Sequence, residues 1–134
     1  MAFWLLKSEP RAFSYADLEH DGRAVWDGIS NALALQYLRQ MKPGDRALFY
    51  HTGKERAAVG TVRVVSDPYA DPRLGDPARV VVDIVPLRGF SRPVPLSALK
   101  GQRKFHDSPL LRLPRLSLLP MTPDQWKLIN ALSK

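Results

Sequence analysis

Apolar positions follow two rhythms along the chain. In "AFWLLK" they run together, the pattern of a short buried strand, and the run stops at "SEPRAF", where Pro10 cannot serve a central ladder. Lys7, Ser8 and Glu9 are therefore expected at a strand end. The spacing then becomes helical. Ser14 followed by Asp17 forms a capping-box signature for a short helix in "SYADLEHD" that Gly22 closes. Further on, Leu35, Leu38 and Met41 share one helical face with Ala34 and Tyr37 beside them. Ser30 or Asn31 can cap the start, and "KPGD" ends the element with a turn.

Beyond that turn the pattern predicts β-structure. "RALFYH", "AAVGTVRVV" and "RVVVDIVPL" are rich in Val, Phe and Tyr, and the proline-punctuated "SDPYADPRLGDPA" separates the last two. With the first strand they predict a four-stranded sheet or partly closed barrel. "VPLSALK" and "HDSPLLR" read as short helical turns. In "MTPDQWKLINALSK", Thr122 is the N-cap, Pro123 the first helical residue and Gln125 the capping-box partner, with Leu128, Ile129 and Leu132 facing the sheet. The 134 residues, without repeats or linkers, predict one α+β domain spanning 1–134.

Charge adds a partner class. The net charge is +7, and from Arg88 onward nine basic residues face only Asp107 and Asp124, so the whole excess belongs to the C-terminal third. Such a field favours polyanions through counterion release, although a surface charged for solubility has the same composition. No apolar run approaches the roughly 20 residues that span a bilayer, so no membrane partner is expected. The start has neither a basic lead nor a small-residue cleavage site, and the chain has no cysteine; a cytoplasmic location and a monomer are expected.

Several residues carry candidate chemistry. Trp26 stands before Asp27, Gly28, Ser30 and Asn31 at a helix start, where free backbone donors attract an acceptor, and it can be either a core anchor or a stacking platform. Trp4 and Tyr50 lie in predicted strands and lean toward the core. His51 and Asp27 are residue types of an acid/base pair, but two such residues are a weak signal. His20, His51 and His106 are too dispersed for a metal, and Asp67, Asp71 and Asp76 favour turns. Gly28, Gly53 and Gly60 fit no nucleotide-binding loop. No metal and no cofactor are expected. "GQRKFHDSPLLRLPRLS" mixes Phe105 and His106 with Arg103, Lys104, Arg112 and Arg115, rings for bases among cations for phosphates.

"WLLKSEP", "WDGISN", "LFYH" and "RLSLLPMTPDQW", in this order, resemble the EVE domain family. The resemblance implies a PUA-like fold, a mixed β-barrel or curved sheet flanked by short helices. It further implies a pocket for a modified nucleobase: modified cytosine in DNA, or a modified base in RNA. By the same resemblance Trp4, Lys7, Ser8, Glu9 and Pro10 match the first pocket segment, Trp26 and Asp27 its aromatic wall and polar edge, Asn31 the helix start, and Tyr50 and His51 the adjacent strand end. Ser30 stands where such domains commonly carry arginine, and "RVVVDI" lacks a tryptophan often found in that strand. The expected function is binding without chemistry, with phosphates on Arg103, Lys104, Arg112 and Arg115. An enzyme using Asp27, Glu9 or His51, and an adaptor binding RNA or protein through its basic face, are the competing readings.

Overall fold

The computed structural model describes residues 1–134. Seven strands and five α-helices occur in the order β1 (Phe3–Ser8), α1 (Tyr15–Asp21), β2 (Ala24–Trp26), α2 (Ala32–Arg39), β3 (Arg46–His51), β4 (Ala57–Val64), β5 (Tyr69–Ala70), β6 (Val80–Pro95), α3 (Leu96–Lys100), α4 (Pro109–Arg112), β7 (Leu118–Met121) and α5 (Pro123–Leu132). A single 3-10 turn covers Arg103–Phe105. Both anticipated capping boxes form, Ser14 with Asp17 and Thr122 with Gln125. Asn31 rather than Ser30 caps α2, its Oδ1 accepting from the Ala34 N–H at 3.0 Å.

The strands make one mixed sheet in the order β2-β6-β4-β3-β1-β7, with β5 alongside β6. β1 runs parallel to β3 and antiparallel to β7. The sheet curls into a half-barrel that does not close, leaving β2 and β7 as its free edges. α2 packs against both β6 and β7 and so spans the gap. Its inward face is Ala34, Leu35 and Leu38, as the helical spacing requires.

Three strand features correct the sequence reading. Trp26 belongs to a strand that the pattern did not predict: it ends β2, paired with Val82, and the turn follows at Gly28, whose φ of 77° favours glycine. β7 forms from "LLPM", which no alternation marked. β6 continues past Leu87 to Pro95 despite two further prolines, because the ladder with β4 is bulged there. Between Gly89 and Val94, four residues of β6 stand opposite Val59 alone, so Pro93 is not asked for a ladder donor.

Leu5, Leu6, Leu48, Phe49, Val62, Ile84 and Leu118 are fully withdrawn from solvent at the centre of the sheet. Ile129 is buried under it, with Leu128 and Leu132 partly so. Asp45, buried, ties the chain start to the turn after α2. Its carboxylate accepts from the Ala2 N–H, the Trp4 Nε1–H and the Lys42 N–H, each at 3.0 Å. Because Asp45→Ala strands three donors, it should lower stability by about 2–4 kcal/mol in urea denaturation; a loss under about 1 kcal/mol would mean that water replaces the carboxylate there.

Candidate functional site

The gap in the half-barrel holds a cavity of about 430 Å³. Its walls come from the end of β1 (Lys7, Ser8) and the turn after it (Glu9, Phe13), from β2 and its following turn (Ala24 to Ile29), and from Ser117 just before β7. A volume in this range accommodates a small ligand.

Trp26 and Phe13 supply the aromatic surface, and both lean on Phe49. Trp26 meets the Phe49 ring edge-on at 5.6 Å and 72°, and Phe13 meets it at 6.4 Å and 57°. Trp26 is 8% exposed, so it is a core residue and a wall residue at once. Its Nε1–H is the one buried side-chain polar group without a hydrogen-bond partner. Trp4, by contrast, is fully served by Asp45 and stands in the core, away from the cavity.

Polar groups of the walls are mostly tied down. Lys7 donates from Nζ to the Pro114 carbonyl at 2.9 Å, and its backbone N–H to Ser117, so it staples β1 to the segment before β7. Burial lowers the pKa of its ammonium. Ser8 Oγ donates to the Phe13 carbonyl, which sets the wall aromatic in place, and Glu9 accepts from the Arg11 N–H. Asp27, exposed at the rim, pairs with Arg73, whose guanidinium also binds the buried Asp71. Arg79 donates to the Ile29 carbonyl at 2.9 Å. The proline-rich loop and the residue before β6 are thereby latched to the cavity rim, by Arg73 and Arg79 respectively.

Of the residues singled out in the sequence, Lys7, Ser8, Glu9, Trp26 and Asp27 line this cavity together. Pro10, Tyr50, His51 and Asn31 do not, and Ser30 is exposed outside it. Tyr50 is buried under Lys7. His51 accepts the Tyr15 N–H on Nε2 at 3.0 Å, so its ring proton lies on Nδ1, 2.6 Å from the Glu55 carboxylate. Neither nitrogen is left for chemistry, and Asp27 is not its partner. Phe13, Ile29, Ser117 and the rim arginine Arg73 escaped sequence reasoning; an aromatic inside the turn-forming "SEPRAF" was the available signal for the first.

The basic residues separate into two groups. Arg112 and Arg115 border a second hollow beside the cavity, whereas Arg103 and Lys104 lie by Met121 and Thr122. Met121 pairs with Phe3, at the end of the β1–β7 ladder opposite the cavity, about 13 Å away along the strand. Phe105 is completely buried, which corrects its expected place among rings offered to bases.

The EVE domain family matches residues 2–132. Mouse thymocyte nuclear protein 1 is 31% identical over 166 aligned residues, covering 98% of this chain and 74% of that protein. A crystal structure of a Pseudomonas syringae protein superposes with a TM-score of 0.92 at 36% identity, covering 99% of this chain and all of that one. The human THYN1 protein in complex with 5-methylcytosine-containing DNA superposes with a TM-score of 0.89 at 28% identity, covering 100% and 98%. An ASCH structure from Zymomonas mobilis, at 13% identity and a TM-score of 0.60, shares the fold alone, the PUA-like one.

Two outcomes test this geometry. Trp4→Phe should cost about 1 kcal/mol more stability than Trp26→Phe, because only the Trp4 indole gives up a hydrogen bond; equal losses in denaturant titrations would show that the Trp26 N–H has a partner in solution. Hydrogen bonds from Arg73 hold the Asp71 carboxyl below its ordinary 3.8. A carboxyl lowered on folding stabilises fully above the ordinary value, and its contribution is lost as pH falls through the lower folded-state value. The Asp71–Arg73 pair that orients this arginine should stay formed at about pH 5 and break only in stronger acid, as followed by the Asp71 carboxyl NMR shift; protonation of Asp71 near pH 5 would disprove the pair.

Proposed function

The chain belongs to the EVE domain family, and on that premise we propose that it binds DNA carrying a modified cytosine, with the modified base held in the cavity between Trp26 and Phe13. The observation that carries this reading is the meeting of two aromatic side chains, Trp26 and Phe13, in the wall of one cavity with room for a base. Asp27 and Glu9 offer the complementary element, oxygens able to accept from the exocyclic amine of cytosine. The neighbouring Arg73 offsets the charge that Asp27 would otherwise turn toward the DNA backbone.

The energetics define how selective such a site can be. Stacking supplies roughly 1–3 kcal/mol per base, and extrusion from a duplex costs a few kcal/mol. The two nearly offset, so phosphate contacts must carry much of the affinity. Arg103, Lys104, Arg112 and Arg115 are the proposed contributors, the last two beside the cavity. Burying a methyl group adds only about 0.8 kcal/mol, or near fourfold in affinity. Larger discrimination requires the polar contacts.

In this reading the module binds without transforming the base, since His51 has both ring nitrogens engaged. Titration of matched oligonucleotides carrying cytosine, 5-methylcytosine or 5-hydroxymethylcytosine, at two salt concentrations, tests it. A modified strand should bind about fourfold tighter or better than the plain one, with the preference lost in Trp26→Ala, and the log–log salt slope should be about 0.9 per phosphate neutralised. Indifference to modification and to Trp26→Ala would refute the reading. Tighter binding of a modified RNA than of any DNA strand would refute DNA as the target, and turnover of the base would refute binding alone.

A further inference from the structure

The cavity is not alone in its gap. A second hollow, also about 430 Å³, is lined by Asn31, Leu33 and the run Arg112–Leu116. The two share their walls: the rim turn passes from Ile29 in one to Asn31 in the other, and the segment before β7 passes from Leu116 to Ser117. One residue, Ser30, separates them at the rim, two chain steps that span at most about 7 Å. That is the order of one nucleotide step.

The chemistry of the second hollow differs from that of the first. Its floor is apolar, with Leu116 buried, Leu33 half-buried and Leu113 46% exposed. Its edges are cationic. Arg112 is turned aside, with Nε donating to the His106 carbonyl and a terminal nitrogen 3.5 Å from Asp107. Arg115 is exposed and has no ion-pair or hydrogen-bond partner in the protein. The ridge between the hollows is fixed, because Lys7 holds the Pro114 carbonyl from below.

We infer that this hollow seats the nucleotide adjoining the modified one, its base face against Leu33, Leu113 and Pro114 and the phosphate between the two nucleotides on Arg115. The inference rests on the base-binding reading of the first cavity. It goes beyond it by giving the protein a subsite for a neighbouring base, hence a dependence on a base being present on one side only. An apolar floor accepts any base face, so the preference is for a base being present and stacked more than for its identity. Arg103 and Lys104, at the far end of the ladder, have no part in this subsite.

The test uses NMR titrations of the full chain with 5-methyl-2′-deoxycytidine, with a trinucleotide carrying 5-methylcytosine at its centre, and with two versions of that trinucleotide abasic at one flank each. Removing one flanking base should weaken binding roughly tenfold and removing the other should not. Arg115→Gln should weaken the trinucleotide roughly tenfold and reduce the salt slope by about 0.7, leaving nucleoside affinity unchanged. Leu113→Ser should do the same without changing the slope; both substitutions are at the surface and spare the fold. Should both abasic strands bind like the intact one, and both variants like the wild type, while the nucleoside still binds through Trp26, the subsite is wrong and the base cavity stands. Loss of Trp26 dependence for nucleoside and trinucleotide alike removes the base cavity and the subsite together.

Discussion

The ring of Phe49, wholly withdrawn from solvent, fixes the positions of four other rings, two from the segment entering α1, one from β2 and one from its own strand. Tyr15, Trp26 and His51 meet it edge-on and Phe13 at a tilt. Each pair contributes on the order of 0.5–1.5 kcal/mol beyond the area it buries, and edge-on geometry fixes orientation as well as distance. The walls of the candidate site, on the turn after β1 and at the end of β2, have no direct ladder between them. They share Phe49 instead. Tyr15 carries the same constraint into α1: its hydroxyl donates to the Thr61 carbonyl, its ring fills the space that a side chain at Gly60 would need, and burial pushes its phenol up to about 12.

A sheet that closed would have no room for the cavity. β2 has three residues and pairs only with β6, and β7 has four and pairs only with β1, so neither edge extends far enough to meet the other. α2 fills one part of the opening with Ala34, Leu35 and Leu38. What α2 leaves uncovered is the cavity and its neighbour, both rimmed by the turn that leads from β2 into the helix. A cavity placed where strands fail to join leaves the ladders of the core intact.

The elements legible in the sequence were those specified by local chemistry. Ser14, Asp17, Thr122 and Gln125 act within one turn of chain, and "RALFYH" and "AAVGTVRVV" are long enough to show a β pattern. "AVW" and "LLPM" are too short for a period to exist, and their strand character comes from partners about 56 and 115 residues away. The site divides the same way. Lys7, Ser8, Glu9, Trp26 and Asp27 occupy two contiguous motifs and were visible together. Arg73 reaches Asp27 across 46 residues, and Phe105 looked available because nothing local reveals that it is buried.

The latch between the proline-rich loop and the rim separates two jobs that most binding sites combine. The sheet and Phe49 set where the cavity is; Arg73 on Asp27 and Arg79 on the Ile29 carbonyl set how its lip is held. Arg73 comes from a loop whose own backbone joins the sheet through only Tyr69 and Ala70, whereas Arg79 directly precedes β6. Exchange of that loop therefore alters the lip while the barrel is inherited unchanged. It is the place where a designer can reshape the lip without repacking a core.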